Sequence, residues 1–307
     1  MAHGNLRSIL ESRRFAITAE VTPPLSTDPA DLLAKSLPLR DLAVAVNVTD
    51  GASARAHLDS LVAATLLRQN GIEPVLQMTC RDRNRIALQS ELVGAAALGV
   101  TNVLFLTGDD PKKGDQPEAK PVFDLDSVAL VRTAVSIRDK GELPHGRKVA
   151  GRAPYFVGVA DMPIDPPAGW APEGLRKKVD AGAQFAQTQF CLDVAVVRRY
   201  VARLAEHGLT ERLYLLIGVA PLASARSGRW IKENLFGAII PDALIERLEG
   251  AAEPKLEGQR ICLEILHELA TIPGVAGVHI MAPLNDAAIP QVIRTFRASS
   301  PAVARAR

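Results

Sequence analysis

The feature that most constrains this chain is an eightfold alternation. Short apolar runs rich in β-branched and aromatic residues recur, and each is followed by a stretch with helical spacing. The runs are 15–24 (FAITAEVTPP), 42–49 (LAVAVNVT), 73–79 (EPVLQMT), 102–107 (NVLFLT), 155–160 (YFVGVA), 185–190 (FAQTQF), 212–219 (RLYLLIGV) and 277–282 (GVHIMA). Most are continuously apolar, as parallel strands covered on both faces should be. Between them, Leu58, Leu61, Val62, Thr65 and Leu66 fall on one helical face, and Gly71 stands where a C′ glycine belongs. Thr27-Asp28-Pro29 has the make-up of a helix start for 28–39. Further helices are expected at 83–98, 125–138, 173–181, 194–207, 241–248, 256–270 and 286–298, with a long loop between the seventh run and residue 241. An N-terminal helix is expected at about 3–13 and a frayed tail at about 299–307. The alternation predicts a (β/α)8 TIM barrel, a single domain over residues 1–307, because no linker interrupts it. A doubly wound open sheet is the runner-up, but no G-x-G-x-x-G follows any strand.

Bulk properties narrow the function classes. Apolar content of 48% with 23% charge is globular, and a net charge of +2 argues against a nucleic-acid partner. No apolar run approaches the roughly 18 residues of a membrane helix. The opening MAHGNLRSIL has no signal-peptide core, so a cytoplasmic location is expected. Cys80, Cys191 and Cys262 are scattered and odd in number, which signals neither a disulfide framework nor a metal motif.

In a barrel of this kind the chemistry sits at the strands' C-terminal ends. Those ends are Glu20, Thr49-Asp50, Thr79-Cys80, Gly108-Asp109, Asp161, Gln189, Gly218 and residues 282–285. Glu20 closes an apolar strand, where an ionised carboxylate is costly to desolvate. Two readings stand: a strand-end Glu paired with a base, or a carboxyl held protonated for use as a proton donor. His279 is mid-strand and reads as a satisfied core residue. With no His or Cys cluster at these ends, no metal site is expected.

These ends resemble the methylenetetrahydrofolate reductase family over nearly the whole chain. The matching pieces are AEVTPP, NVTDGA, MTC, TGDDP, LRKKVDAGAQFAQTQF, IGVAPL and GVHIMAPLN, of which the run from Leu175 to Phe190 is the most specific. The resemblance implies a barrel that carries a hydride from NAD(P)H, through flavin, to 5,10-methylenetetrahydrofolate. It implies Glu20 as the acid that protonates the departing aryl nitrogen, with Asp109 and Gln189 holding the pterin. A carboxylate suits the donor-rich edge of that ring. Gln187 shares the face of Gln189 by period-two alternation, and it reads equally as part of a polar layer inside the barrel. Cofactor contacts implied by the match are Thr49, Ala52, Gln77, Gly108, Asp109 and Lys178. Arg81, with Arg83 and Arg85, reads either as a clamp on cofactor phosphates or as a solvated helix start. Trp230 reads as a stacking ring or a core anchor.

The chain also departs from the family pattern. It has Asp50 where Tyr is usual, Gln77 where His is usual, Thr107 where Arg is usual, and Asp286 after Asn285 in place of Arg; the usual Tyr and His are replaced within 161–165. Flavin is therefore left open among FAD, FMN and none. So is a homo-oligomer or a redox-complex partner. A folate-dependent barrel methyltransferase or demethylase, and a barrel subunit of a larger redox complex, are the alternative functions. Partners on the main reading are a folate substrate and a nicotinamide cofactor, with no nucleic acid and no membrane.

Overall fold

A computed structural model describes residues 6–283 and 285–300. Eight strands form a closed barrel in sequence order: β1 Ala16–Val21, β2 Ala45–Val48, β3 Pro74–Thr79, β4 Asn102–Leu106, β5 Phe156–Asp161, β6 Phe185–Phe190, β7 Tyr214–Val219 and β8 Val275–Ile280. Every pair is parallel, and β8 closes onto β1 through Ala16↔Gly277 and Thr18↔His279. The (β/α)8 fold expected from the alternation is the one observed.

Eleven helices are described: α1 Leu6–Glu11, α2 Pro29–Ser36, α3 Ser60–Gln69, α4 Arg85–Ala97, α5 Ser127–Lys140, α6 Glu173–Asp180, α7 Val194–Glu206, α8 Ala225–Asn234, α9 Asp242–Glu249, α10 Pro254–Leu269 and α11 Ala288–Ser299. Several start where an Asp or Asn leaves a strand-end loop and accepts a first-turn N–H. Asp28 takes Ala30 N at 2.8 Å, Asp59 takes Val62 N at 3.0 Å and Asp126 takes Ala129 N at 2.7 Å. Their apolar faces bury Leu32, Leu67, Leu88, Leu92, Leu130 and Phe296 against the strands, each side chain being essentially inaccessible. Full burial of one such side chain is worth about 1.5–3 kcal/mol.

The barrel interior is layered. At its N-terminal end Leu6, Ile9 and Leu10 of α1 pack on Ala16, Ala45, Val75, Leu104, Phe156, Phe185 and Leu216. Phe156 and Phe185 stack at 4.9 Å, and a Cβ on Gly158 would strike the Phe185 ring at 2.2 Å, so only glycine fits there. Glu73 ties the plug down: its Oε1 accepts Leu6 N at 2.9 Å and Asn102 Nδ2 at 2.8 Å, and burial raises its pKa. Above the plug lies a polar layer made by Thr18, Asn47, Gln187 and His279, all buried.

Two local differences from the sequence reading have physical causes. The helix expected over 28–39 changes into a 3₁₀ turn at Leu37–Leu39, because Pro38 has no N–H to continue α-helical bonding. The loop expected before residue 241 contains α8, which carries Trp230. Ser224 Oγ accepts Ser227 N at 3.1 Å while Ser227 Oγ accepts Ser224 N at 3.0 Å, a reciprocal cap that starts the helix despite its central Gly228. Of the expected N-terminal helix, residues 6–11 are helical and 3–5 lie outside the described residues; of the expected tail, so do 301–307.

Candidate active site

The loops after the strands meet at one rim. Glu20 is the penultimate residue of β1, and its side chain keeps 21% of its surface exposed. Glu20 Oε2 accepts Gln77 Nε2 from β3 at 2.8 Å and lies 3.4 Å from His279 Nε2 of β8. Both contacts fall on the same carboxyl oxygen. From the sequence His279 is a mid-strand core residue, with nothing to join it to Glu20. Only the β1–β8 register, Thr18 opposite His279, does so.

Asp109 follows β4 on the exposed rim, and Gly108 before it has φ +93°. A Cβ on Gly108 would meet the Cβ atoms of Thr79 and Arg81 at 3.0 Å. The neighbouring Asp110 caps a short 3₁₀ turn by accepting Lys112 N at 3.0 Å. Gln189 sits near the end of β6 and is half-buried; its Nε2 donates to Phe236 O at 3.2 Å and its Oε1 accepts Phe190 N at 3.0 Å. Gln187 lies one layer deeper, and its amide is occupied. It exchanges two hydrogen bonds with the Asn47 amide, at 2.5 and 3.1 Å, and donates to Thr18 Oγ1 at 3.0 Å. The polar-layer reading is where the structure puts it.

One residue past β2, the Thr49 hydroxyl is buried and makes no hydrogen bond within the protein. Ala52 follows Gly51, which has φ +57° and would drive a Cβ into Arg81 Nη2 at 2.2 Å. Arg81 is 3% exposed; it binds Asp82 at 2.7 Å, donates to Gly51 O at 3.1 Å and reaches Asp109 O at 3.5 Å. It thereby laces together the loops after β2, β3 and β4. Arg83 is held between Asp50 and Glu91, and Arg85 pairs with Asp124. Lys178 donates from Nζ to Ala160 O at 2.6 Å, and burial lowers its pKa against the opposing pull of Asp161. It lines a cleft of about 560 Å³ shared with Asp161, Met162, Ile164, Trp170 and Phe236. Trp230 stands on α8 with about half its surface exposed. Cys80, one residue beyond β3, is buried, and burial pushes its thiol up to about 11, far from a nucleophile at neutral pH.

Whether a dinucleotide fits can be judged from these groups. The unpartnered Thr49 hydroxyl and the close backbone approach at Gly108 suit a flat ring laid on the rim. For a diphosphate, Lys178 lines the cleft but donates to Ala160 O, and Arg81 is 3% exposed and committed to Asp82, Gly51 O and Asp109 O; both would have to exchange these partners for phosphate oxygens.

A family model described as methylenetetrahydrofolate reductase matches residues 5–297. The chain belongs to the methylenetetrahydrofolate reductase family. A 5,10-methylenetetrahydrofolate reductase of Salmonella typhimurium is 24% identical over 297 residues, covering 90% of this chain and 91% of that protein. The corresponding Escherichia coli protein is 25% identical over 244 residues, covering 76% and 74%. A probable methylenetetrahydrofolate reductase (NADPH) of Caenorhabditis elegans is 23% identical over 246 residues, and this chain spans only 34% of its length. Among solved structures, a Clostridium thermocellum protein that binds two copies of 5-methyl-5,6,7,8-tetrahydrofolic acid superposes with a TM-score of 0.65. Its identity is 12%, with 96% of this chain and 98% of that one covered, so it speaks for the shared barrel alone.

Proposed function

We propose that this chain reduces 5,10-methylenetetrahydrofolate to 5-methyltetrahydrofolate with NAD(P)H. The observation that carries the reading is the Glu20 carboxyl. It stands at the barrel mouth, with Oε2 held by Gln77 and His279, in the AEVTPP run whose resemblance implies the acid. Reduction requires the five-membered ring to open to an iminium. The C–N bond to the aryl nitrogen breaks, its electron pair stays on that nitrogen, and Glu20 supplies the proton. Asp109 and Gln189 would hold the pterin, with Thr49, Ala52, Gly108, Arg81 and Lys178 toward the cofactor. A flavin, FAD on the family pattern, would supply a hydride relay if bound; without one, nicotinamide and folate would have to stack for direct transfer. The protein's own part is to fix the folate over Glu20 and to keep the iminium from water.

The test is anaerobic NAD(P)H oxidation coupled to 5-methyltetrahydrofolate formation, for wild type and Glu20→Gln. The substitution is expected to cost about 10²–10⁴-fold in kcat while folate still binds. Near-normal turnover removes Glu20 as the acid. A wild type that binds folate yet never oxidises NAD(P)H removes the reductase reading in favour of methyl transfer.

A further inference from the structure

The buried layer beneath Glu20 has a direction. Gln187 spends its two amide hydrogens on Asn47 Oδ1 at 3.1 Å and Thr18 Oγ1 at 3.0 Å, so the Thr18 oxygen is an acceptor toward β6. The Thr18 hydroxyl then has its single proton to give. It lies 3.0 Å from His279 Nδ1 and 3.2 Å from Val278 O. Of these two acceptors, donation to Nδ1 is the one that leaves the imidazole as the Nε2–H tautomer, which sets a donor and not a lone pair against the Glu20 carboxyl. That N–H faces Glu20 Oε2 at 3.4 Å, where Gln77 Nε2 already donates at 2.8 Å. His279 is 2% exposed, Thr18 and Asn47 are inaccessible and Gln187 is 4% exposed, so water does not compete for these groups.

We infer that His279 is the positioning residue of Glu20, the last donor of a chain running from the Asn47–Gln187 amide pair through Thr18. This rests on Glu20 being the proton donor. With Oε2 taken by two donors from within the barrel, the acid's proton resides on Oε1. Once that proton has gone to the aryl nitrogen, the same Nε2–H stays in place for the carboxylate, and no other group has to reorganise. The chain thus selects which oxygen acts and holds the carboxyl in one rotamer through the catalytic cycle.

The test separates the two ring nitrogens. In His279→Asn the amide reaches the place of Nδ1 and keeps Thr18, but Glu20 Oε2 is left with Gln77 as its one donor. In His279→Gln the amide nitrogen reaches the place of Nε2 and still donates to Oε2. Thr18→Val removes the hydroxyl that sets the tautomer. Expected is a fall of about 10²-fold in kcat for His279→Asn with the folate KM within about threefold, most of it recovered by His279→Gln, and an intermediate loss for Thr18→Val. An activity-independent reading goes with it. The Glu20 carboxyl band, isolated as the wild-type minus Glu20→Gln infrared difference, should move in His279→Asn and return in His279→Gln. Unchanged kcat and an unmoved band in His279→Asn would overturn the inference, as would equal losses in the Asn and Gln variants. If His279→Asn does not fold, Thr18→Val decides on the same two readouts. A wild type inactive as a reductase whose Glu20 band still follows His279 would sink the proposed reaction and leave the positioning role standing.

Discussion

At the scale of single residues, the rim separates groups used by the protein itself from groups left for a ligand. Asp110 caps a turn and Gln187 is absorbed by Asn47 and Thr18. Asp109 is exposed beside them at the end of β4, its backbone carbonyl reached by Arg81 and its carboxylate on the rim. A hydrogen-bonded charged contact is worth about 1.5–3 kcal/mol. Asp109→Asn should therefore weaken folate binding by about 10- to 100-fold, read by titration calorimetry, with thermal stability unchanged because no fold contact is lost. Unaltered folate affinity would release Asp109 from the pterin. Glu20 and Asp109 stand out as candidates in the sequence because each interrupts a local pattern, a carboxylate closing an apolar strand and a polar break after one, while the roles proposed for them come from the resemblance. His279 does not, since its partners lie about 260 positions away and join it only through barrel closure. The Thr49 hydroxyl was assigned by family match, while its lack of a partner is visible only in three dimensions.

At the scale of elements, strand order was readable from period and composition, and most boundaries fall within a few residues of expectation. α8 escaped because Ser-, Gly- and Arg-bearing sequence looks like a loop, and its reciprocal Ser224–Ser227 cap lacks the Glu or Gln that usually marks such a start. The α1 plug is the element with the largest consequence for the barrel. Its six residues have little intrinsic helicity at that length, so packing must hold them. Leu10 is 1% exposed against the bottom layer. Leu10→Ala should cost about 2–5 kcal/mol, measured by urea unfolding. The folate site at the opposite end of the strands should be affected much less. A cost below about 1 kcal/mol would mean that the barrel end closes without the plug.

At the scale of the whole molecule, the loops under the rim are joined by charge, and one group makes that junction respond to pH. Arg83 lies between Asp50 and Glu91, and Asp50 also accepts Thr79 N at 2.7 Å at the end of β3. Two carboxylates share one guanidinium, and Glu91 Oε1 is buried with no partner. Burial, aided by the Asp50 charge and opposed by Arg83, pushes Glu91 up to about 7 from 4.5. Between those two values the unfolded chain gives up the Glu91 proton while the folded one keeps it. By linkage the unfolding free energy then falls as pH rises from about 4.5 to about 7, and this contribution levels off above the folded value. Carboxylates with lowered pKa, such as the half-buried Asp124 beside Arg85, act in the opposite direction and at lower pH. The comparison that isolates Glu91 is therefore a difference. The stability of wild type minus that of Glu91→Gln, from urea unfolding at pH 5 and pH 7.5, should be smaller at the higher pH. A difference that stays constant or grows would place a permanent negative charge on Glu91. Arg83 would then be fully balanced by two ionised partners, and the loops after β2 and β3 would be indifferent to pH across this range.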